Sequence, residues 1–396
     1  MENSLHISRV ELSGYKSIKN VDISFEPGLN IIIGKNAVGK TNFLNFLYSC
    51  LELDFDELGS FKSTLTFKNG NNFKLLKSQR EYRPIKNKKD IEKDVVETHL
   101  INYNKYNKIV ESNELSQSGL LFNTAIISHG TIKNLPIIEE AFNFKIYDTD
   151  YLDDLRMEYD KINHSNLSGN LLLDLLIKIS ELQNNKIINN VNLNETILKE
   201  AIQAVFENTL GYIKPILNSY TPIENLRLKS SFNIFTNENE TQFSINNLVL
   251  EFKILNNWLS YSDLSDGTKR LFYIITECFE VEELIFSSDA IGTYPKSHSI
   301  ILLEEPELGI HPHQYMKLLD FLKEQSRNKQ IIITTHSPQT IDILEAEELN
   351  KIILAYTQED GSTGLRHLGE NEISKAQAYL EKSYLSDYWL YSDLEK

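Results

Sequence analysis

Cysteine is almost missing from this chain: Cys50 and Cys278 are the only two. Two thiols cannot build a disulfide framework, and such usage fits a reducing compartment. Both fall in apolar, helix-like contexts and are read as core. Glycine is scarce as well, with 16 in 396 residues against a usual ~7%, so the places where it does occur become informative. No apolar stretch approaches the roughly 20 residues that span a bilayer. The start Met-Glu-Asn-Ser lacks the basic-then-apolar order of a secretory leader, so the expectation is a cytoplasmic protein without a membrane contact. Positive charge is also in deficit, with 40 Lys+Arg against 56 Asp+Glu and a net charge of -16. A surface this acidic is a poor generic binder of nucleic acid or anionic lipid, and any such contact has to come from a local basic patch. What remains is ordinary: 41% hydrophobic and 24% charged residues imply a real core and exclude collagen-like, mucin-like and wholly disordered chains.

Residues 5–13 and 20–26 alternate apolar and polar, and 29–33 is an apolar run ending at Gly34, which predicts three strands feeding a loop. Phe43, Leu44, Phe46, Leu47 and Leu51 then have helical spacing. The segments 61–68 and 73–78 flank Asn69-Gly70-Asn71-Asn72, a hairpin signal. The polar, lysine-rich stretch Arg80–Lys93 is expected to be an exposed loop. Between 137 and 215 the character changes: Leu171, Leu172, Leu175, Leu176 and Ile179, then Ile197, Ile202, Val205 and Phe206, predict helices separated by Asn-rich breaks. They hold no sustained heptad register, so a long coiled coil is not expected. Strand-like alternation returns at 226–235 and 242–254. A helix is predicted from Asp266 to about Phe286, a buried strand from Ser299 to Leu303, a helix from about His313 to Gln325, a strand from Gln330 to Thr334, and then a terminal α/β segment. The tail from Glu372 carries an aromatic helical stripe (Tyr379, Leu380, Tyr384, Leu385, Tyr388, Trp389, Leu390). It serves either as packing on its own core or as a docking surface.

Four segments carry chemistry. Gly34-Lys35-Asn36-Ala37-Val38-Gly39-Lys40-Thr41 is a complete G-x-x-x-x-G-K-[ST] loop, placed between a predicted strand and a predicted helix as the motif requires. Its glycines let successive N–H groups face a phosphate, and the helix start adds partial positive charge. Lys40 is expected to reach the β- and γ-phosphates and the Thr41 hydroxyl to ligate Mg²⁺, with Asn42 completing the nucleotide-binding stretch. The second segment, Ile300-Ile301-Leu302-Leu303-Glu304-Glu305-Pro306-Glu307, is a buried strand ending in carboxylates, at the end of a sheet where α/β folds bind ligands. Glu304 is the candidate for the Mg²⁺ shell and Glu305 for orienting or deprotonating the attacking water. The third, Leu264-Ser265-Asp266-Gly267-Thr268, taken singly is also an ordinary helix cap. The fourth, Ile331-Ile332-Ile333-Thr334-Thr335-His336-Ser337-Pro338, is a strand ending in a histidine that taken singly is also an ordinary structural residue.

In that order these segments resemble the ABC-type ATPase heads of the SMC, RecF and OLD (overcoming lysogenization defect) group, often placed among the AAA ATPases. The resemblance starts at Val10-Glu11-Leu12-Ser13-Gly14-Tyr15-Lys16-Ser17-Ile18, passes through Gly28-Leu29-Asn30 into the phosphate loop, and resumes from Leu264 through Glu305-Pro306-Glu307-Leu308-Gly309-Ile310-His311-Pro312 to His336-Ser337-Pro338. It implies an α/β P-loop NTPase fold, an ABC-type head with two lobes and a mostly helical insertion. The boundaries it implies are an N-terminal part of the ATPase domain at 1–135, the insertion at 136–218, a C-terminal part at 219–355 and an α/β tail at 356–396.

The resemblance further implies a homodimer or higher oligomer sandwiching ATP, with Ser265 and Gly267 as a signature that meets the γ-phosphate held by the other subunit. Glu305 takes the place of the catalytic glutamate and His336 that of the switch histidine; Lys16 and Ser17 match a turn near the nucleotide. The glutamine-bearing loop of such heads falls in the register Ala125-Ile126-Ile127-Ser128-His129-Gly130, with histidine in place of glutamine. Glu304 stands where the metal-binding aspartate is usual, which implies slow hydrolysis. Only 60 residues follow His336, too few for a fused Toprim nuclease. The implied role is an ATPase that acts as sensor or switch for a separate effector, a nuclease or toxin, in bacterial anti-phage defence. The alternatives are a RecF-like DNA-repair ATPase and a nucleotide-gated scaffold with little turnover. Nucleic acid is a further possible ligand, through the Arg80–Lys93 patch.

Overall fold

The computed structural model describes residues 6–52, 60–69, 72–84, 92–102, 109–111, 124–127, 144–147, 195–229, 232–236, 242–246, 249–278 and 300–391. The chain divides into two compact units, one formed by 1–128, 286–307 and 319–396, the other by 129–285 and 308–318.

The first unit is built on two sheets. Strands β1 (His6–Tyr15) and β2 (Ile18–Ser24) form an antiparallel hairpin with Val10 opposite Ile23 and Tyr15 opposite Ile18. Their alternation puts Val10, Leu12, Val21 and Ile23 into the core, as a half-buried strand should. With β4 (Phe61–Asn69), β5 (Asn72–Pro84), β6 (Glu92–Asn102) and β7 (Ile109–Glu111) they make a six-stranded sheet in the order β2-β1-β4-β5-β6-β7. The second sheet contains β3 (Leu29–Ile33), β8 (Thr124–Ile127), β15 (Ile300–Glu304), β16 (Gln330–Thr335), β17 (Ile352–Thr357) and β18 (Thr363–His367), ordered β18-β17-β3-β16-β15-β8. Every pairing in it is parallel except that of β17 with β18. Its central strands are continuous apolar runs, the composition expected when both faces are covered.

Helix α1 (Lys40–Glu52) supplies Phe43, Leu44, Phe46, Leu47, Cys50 and Leu51 to a core that also holds residues of both sheets. Phe46 lies 5.2 Å from Tyr15 and 5.3 Å from Phe61, ring centroid to centroid. Burial pushes the Cys50 thiol pKa up, so this cysteine behaves as a core residue, as its context predicts. Gln330, fully buried at the start of β16, exchanges two hydrogen bonds of 2.8 Å with the backbone of Ile7 and so ties the two sheets together.

In the second unit, helix α2 (Glu195–Tyr220) buries Phe206, Leu210, Ile213 and Leu217, one stripe at spacings of three and four residues. The strands are short: β9 (Phe144–Tyr147), β10 (Asn225–Leu228), β11 (Asn233–Thr236), β12 (Gln242–Asn246), β13 (Leu250–Ile254) and β14 (Asn257–Leu259). They form two three-stranded sheets, β10-β13-β14 and β11-β12-β9. Helix α3 (Asp266–Cys278) packs Phe272 edge-on against Phe252 at 5.0 Å. Helix α4 (Pro312–Gln325) follows the β15 segment, and α5 (Glu370–Leu380) and α6 (Leu385–Tyr391) end the described chain.

Several expectations need correction. Arg80–Lys93 is not one loop: β5 runs to Pro84 and β6 starts at Glu92, with those two residues paired, because a hairpin ladder offers the backbone partners that polar side chains do not remove. Within 136–218, where a mostly helical insertion is expected, Phe144–Tyr147 form a strand, β9, whose partner β12 lies nearly a hundred residues further on and is invisible to local periodicity. The helix expected at Leu171–Ile179 and the expected continuation of α3 from Cys278 to about Phe286 lie outside the described residues. The aromatic tail divides: Leu385 and Trp389 are buried, whereas Tyr384 and Leu390 are exposed.

Candidate nucleotide site

Register decides the site. Ile33 of β3 pairs with Thr335 of β16, and Thr334 of β16 pairs with Glu304 of β15. The residues one step beyond, Gly34, His336 and Glu305, therefore leave the same edge of three adjacent parallel strands. Neighbouring strands lie about 4.8 Å apart, so the phosphate loop, the histidine and the acidic strand end share the carboxyl end of the sheet, the end at which open α/β sheets bind ligands.

The loop itself needs glycine for stated reasons. A Cβ on Gly34 would sit 2.2 Å from the Ala355 carbonyl oxygen of β17, and one on Gly39 would sit 2.1 Å from Thr363 Oγ1. Gly39 has φ +99° and Ala37 has φ +65°, the left-handed conformations that turn successive N–H groups to one side. Lys35, Asn36 and Ala37 are exposed, Val38 is buried, and the Lys40 side chain curls inward. Lys40 Nζ donates to the carbonyls of Gly34 at 2.7 Å and Lys35 at 2.8 Å, which holds a positive charge inside the ring of the loop. Thr41 is exposed at the first turn of α1.

The β1–β2 turn stands beside this loop. Lys16 has φ +47°, Asn42 Nδ2 donates to Ser17 Oγ at 3.1 Å, and Ser17 Oγ shares a 2.7 Å hydrogen bond with Thr363 Oγ1. Thr363 was not legible in the sequence, which shows no motif around it.

At the acidic strand end, Glu304 and Glu305 are half-buried. Glu305 adopts φ +42°, a costly conformation for a non-glycine residue that is typical of functional positions, while its N–H still donates to Thr334 at 2.8 Å. His336 Nδ1 lies 3.5 Å from Glu305 Oε1 and 3.3 Å from Glu307 Oε1. Two side chains carry oxygen donors of the kind a hard divalent cation takes, the Thr41 hydroxyl at the start of α1 and the Glu304 carboxylate at the end of β15. Mg²⁺ in phosphate sites takes one or two protein oxygens and fills its shell with phosphate and water, so this sparse donor set fits it.

Ser265 and Gly267 belong to the second unit. Ser265 is exposed, and its hydroxyl accepts from the Thr268 N–H at 3.2 Å and pairs with the Thr268 hydroxyl at 2.8 Å. It is the N-cap of α3. Gly267 is buried, and a Cβ on it would meet the Gly309 carbonyl oxygen at 2.3 Å. Of the register Ala125–Gly130, the first three residues lie in β8 and the rest fall outside the described residues.

The family model described as "AAA domain, putative AbiEii toxin, Type IV TA system" matches residues 29–342. The chain belongs to this family. It is 24% identical over 373 residues to a Septu protein PtuA of Bacillus thuringiensis, covering 92% of this chain and 79% of that protein. It is 20% identical to a retron Vc95 probable ATPase of Vibrio cholerae serotype O1 biovar El Tor, covering 88% and 73%. Among solved structures, the Smc head domain of Pyrococcus furiosus, bound there to the C-terminal domain of ScpA, superposes with a TM-score of 0.51 at 16% identity, covering 96% of this chain and all of that one. The fold is therefore that of an SMC-like P-loop ATPase head. Among the described residues no helix is long and apolar enough to cross a membrane.

Proposed function

We propose that this protein is an ATP-hydrolysing, ABC-type ATPase that dimerises around ATP and acts as a switch for a separate effector, a nuclease or toxin, in bacterial anti-phage defence. The observation that carries this reading is the shared strand-end level of Gly34, His336 and Glu305, with Lys40 folded into the loop beside them. Lys40 binds the β- and γ-phosphates. Glu305 orients or deprotonates the attacking water, and His336 stands in the switch-histidine position beside it. Thr41 and Glu304 would hold Mg²⁺, whose charge offsets that of the phosphates. Ser265 and Gly267 reach the γ-phosphate held by a second copy.

On this reading 1–135 and 219–355 are the two parts of one ATPase domain, 136–218 is its insertion and 356–396 its tail. Likeness over most of the chain to a Septu protein and a retron ATPase, and a family description that names a toxin–antitoxin system, support the defence setting and the separate effector. Glu304 in the aspartate position favours slow turnover, the feature shared with a nucleotide-gated scaffold.

The test is a pair of variants. Lys40→Ala should abolish ATP binding measured with a fluorescent nucleotide. Glu305→Gln should keep binding, lose turnover by about a hundredfold or more, and accumulate an ATP-bound dimer in light scattering. A wild type that neither binds nor hydrolyses ATP with Mg²⁺ would sink the ATPase reading. Equal cellular activity of wild type and Glu305→Gln would favour the scaffold instead.

A further inference from the structure

Glu307 follows the acidic strand end and takes no direct part in the ATPase chemistry, yet its carboxylate is committed to the histidine corner. Its Oε1 accepts from the Thr335 hydroxyl at 2.6 Å and from the His336 backbone N–H at 3.3 Å. The same oxygen is 3.3 Å from His336 Nδ1. Its other oxygen, Oε2, is buried and has no hydrogen-bond partner among the described residues, although a bare buried acceptor is costly. Thr335 is fixed in turn. With its proton given to Glu307, its oxygen accepts from the Ser337 N–H at 2.9 Å and lies 3.1 Å from the Thr340 hydroxyl, and both threonines are fully buried.

A carboxylate only accepts. An unprotonated, electron-rich Nδ1 would lie 3.3 Å from the negative Glu307 Oε1 and 3.5 Å from Glu305 Oε1, so electrostatics places the ring proton on Nδ1. Building on the ATPase reading, we infer that Glu307 is a positioning residue: it fixes the His336 ring with Nδ1–H toward the two glutamates and leaves the Nε2 lone pair to accept a hydrogen bond from the water that attacks the transferring phosphate. Glu307 touches no substrate and acts through His336. The competing account is that Glu307 merely fastens the end of β15 to the end of β16.

A double-mutant cycle separates the two. Glu307→Gln keeps an acceptor oxygen for Thr335 and for the His336 N–H but removes the negative charge that faces Nδ1, so the thermal midpoint should stay near that of wild type while the preference for Nδ1–H weakens. We expect kcat for ATP to fall about ten- to a hundredfold, as for other groups that orient a functional side chain, with KM within about twofold. In a His336→Ala background the same change should cost nothing further; losses that multiply would overturn the inference. The second readout is the imidazole ¹⁵N spectrum of the nucleotide-free protein, in which His336 should carry its proton on Nδ1 in wild type and redistribute it toward Nε2 in Glu307→Gln. An Nε2–H ring in wild type would overturn the inference without any variant. Because this measurement needs no turnover, it still decides the placement of the ring if the protein proves unable to hydrolyse ATP.

Discussion

Two helix starts hold the segments proposed to meet nucleotide, and they are built differently. At the start of α1 the backbone turns left-handed at Ala37 and Gly39, and a lysine ammonium is drawn onto the loop carbonyls. At the start of α3, Ser265 spends its own hydroxyl on the helix, accepting from the Thr268 N–H and pairing with its side chain. Both use glycine for close backbone approach, Gly34 toward the Ala355 carbonyl and Gly267 toward that of Gly309. In the loop, glycine both admits a neighbour and shapes an anion cradle. At the signature, packing alone accounts for Gly267 and capping alone for Ser265. Any phosphate role there must share a hydroxyl already in use.

The strongest way to break this contrast is to add one methyl at each site. Gly34→Ala and Gly267→Ala each force a Cβ to within 2.3 Å of a backbone carbonyl oxygen, and backbone yields less readily than a side chain. Each should cost about 2–3 kcal/mol of stability as overpacking, read by thermal or denaturant unfolding. ATP binding should separate them: Gly34→Ala loses it, whereas Gly267→Ala retains it and loses only the ATP-dependent dimer. If Gly267→Ala proved as deficient in binding as Gly34→Ala, the division of labour between the two starts would be wrong.

A smaller effect sharpens the same point. Ser265→Ala should cost about 1 kcal/mol as a lost N-cap, and Ser265→Asn should recover most of it because asparagine caps as well. If the ATP-dependent dimer returns with Asn, the hydroxyl acts only as a cap. If stability returns and the dimer does not, the hydroxyl itself meets phosphate.

The two starts also differ in how far they could be read in advance. The phosphate loop was legible because its spacing, its flanking strand and its helix all lie within some twenty consecutive residues. The acidic and histidine strand ends were legible as runs of buried apolar residues closing on polar ones. Their convergence depends on β16 lying between β3 and β15, which is a matter of sheet order rather than local pattern. Glu307 was visible in the Glu-Glu-Pro-Glu run, but its hold on Thr335 and His336 spans 28 and 29 residues. Gln330 and Thr363 were not legible at all. Each is an ordinary polar residue whose partners, Ile7 and Ser17, lie more than three hundred residues away. The lysine-rich segment misled for the opposite reason: polarity was read as loop, although strand pairing depends on backbone groups that side-chain charge does not reveal.

That segment supplies the smallest and last test, because it asks whether any ligand beyond nucleotide meets the first unit. The β4–β5 ladder ends with Phe61 opposite Arg80, while β5 and β6 continue to pair as far as Pro84 and Glu92. The hairpin thus extends beyond its neighbouring strand, and Arg80–Lys93 holds six basic residues against three acidic ones in a chain of net charge -16. Changing Lys86, Lys88 and Lys89 to Ala should leave ATP turnover unaltered. If the segment grips a nucleic-acid backbone, affinity should fall for every sequence alike, and the slope of log K against log salt should flatten by about one for each phosphate that is no longer neutralised. An unchanged slope would assign these lysines to solvent and leave any nucleic-acid binding to a partner protein, since the acidity of the rest of the chain works against a second site.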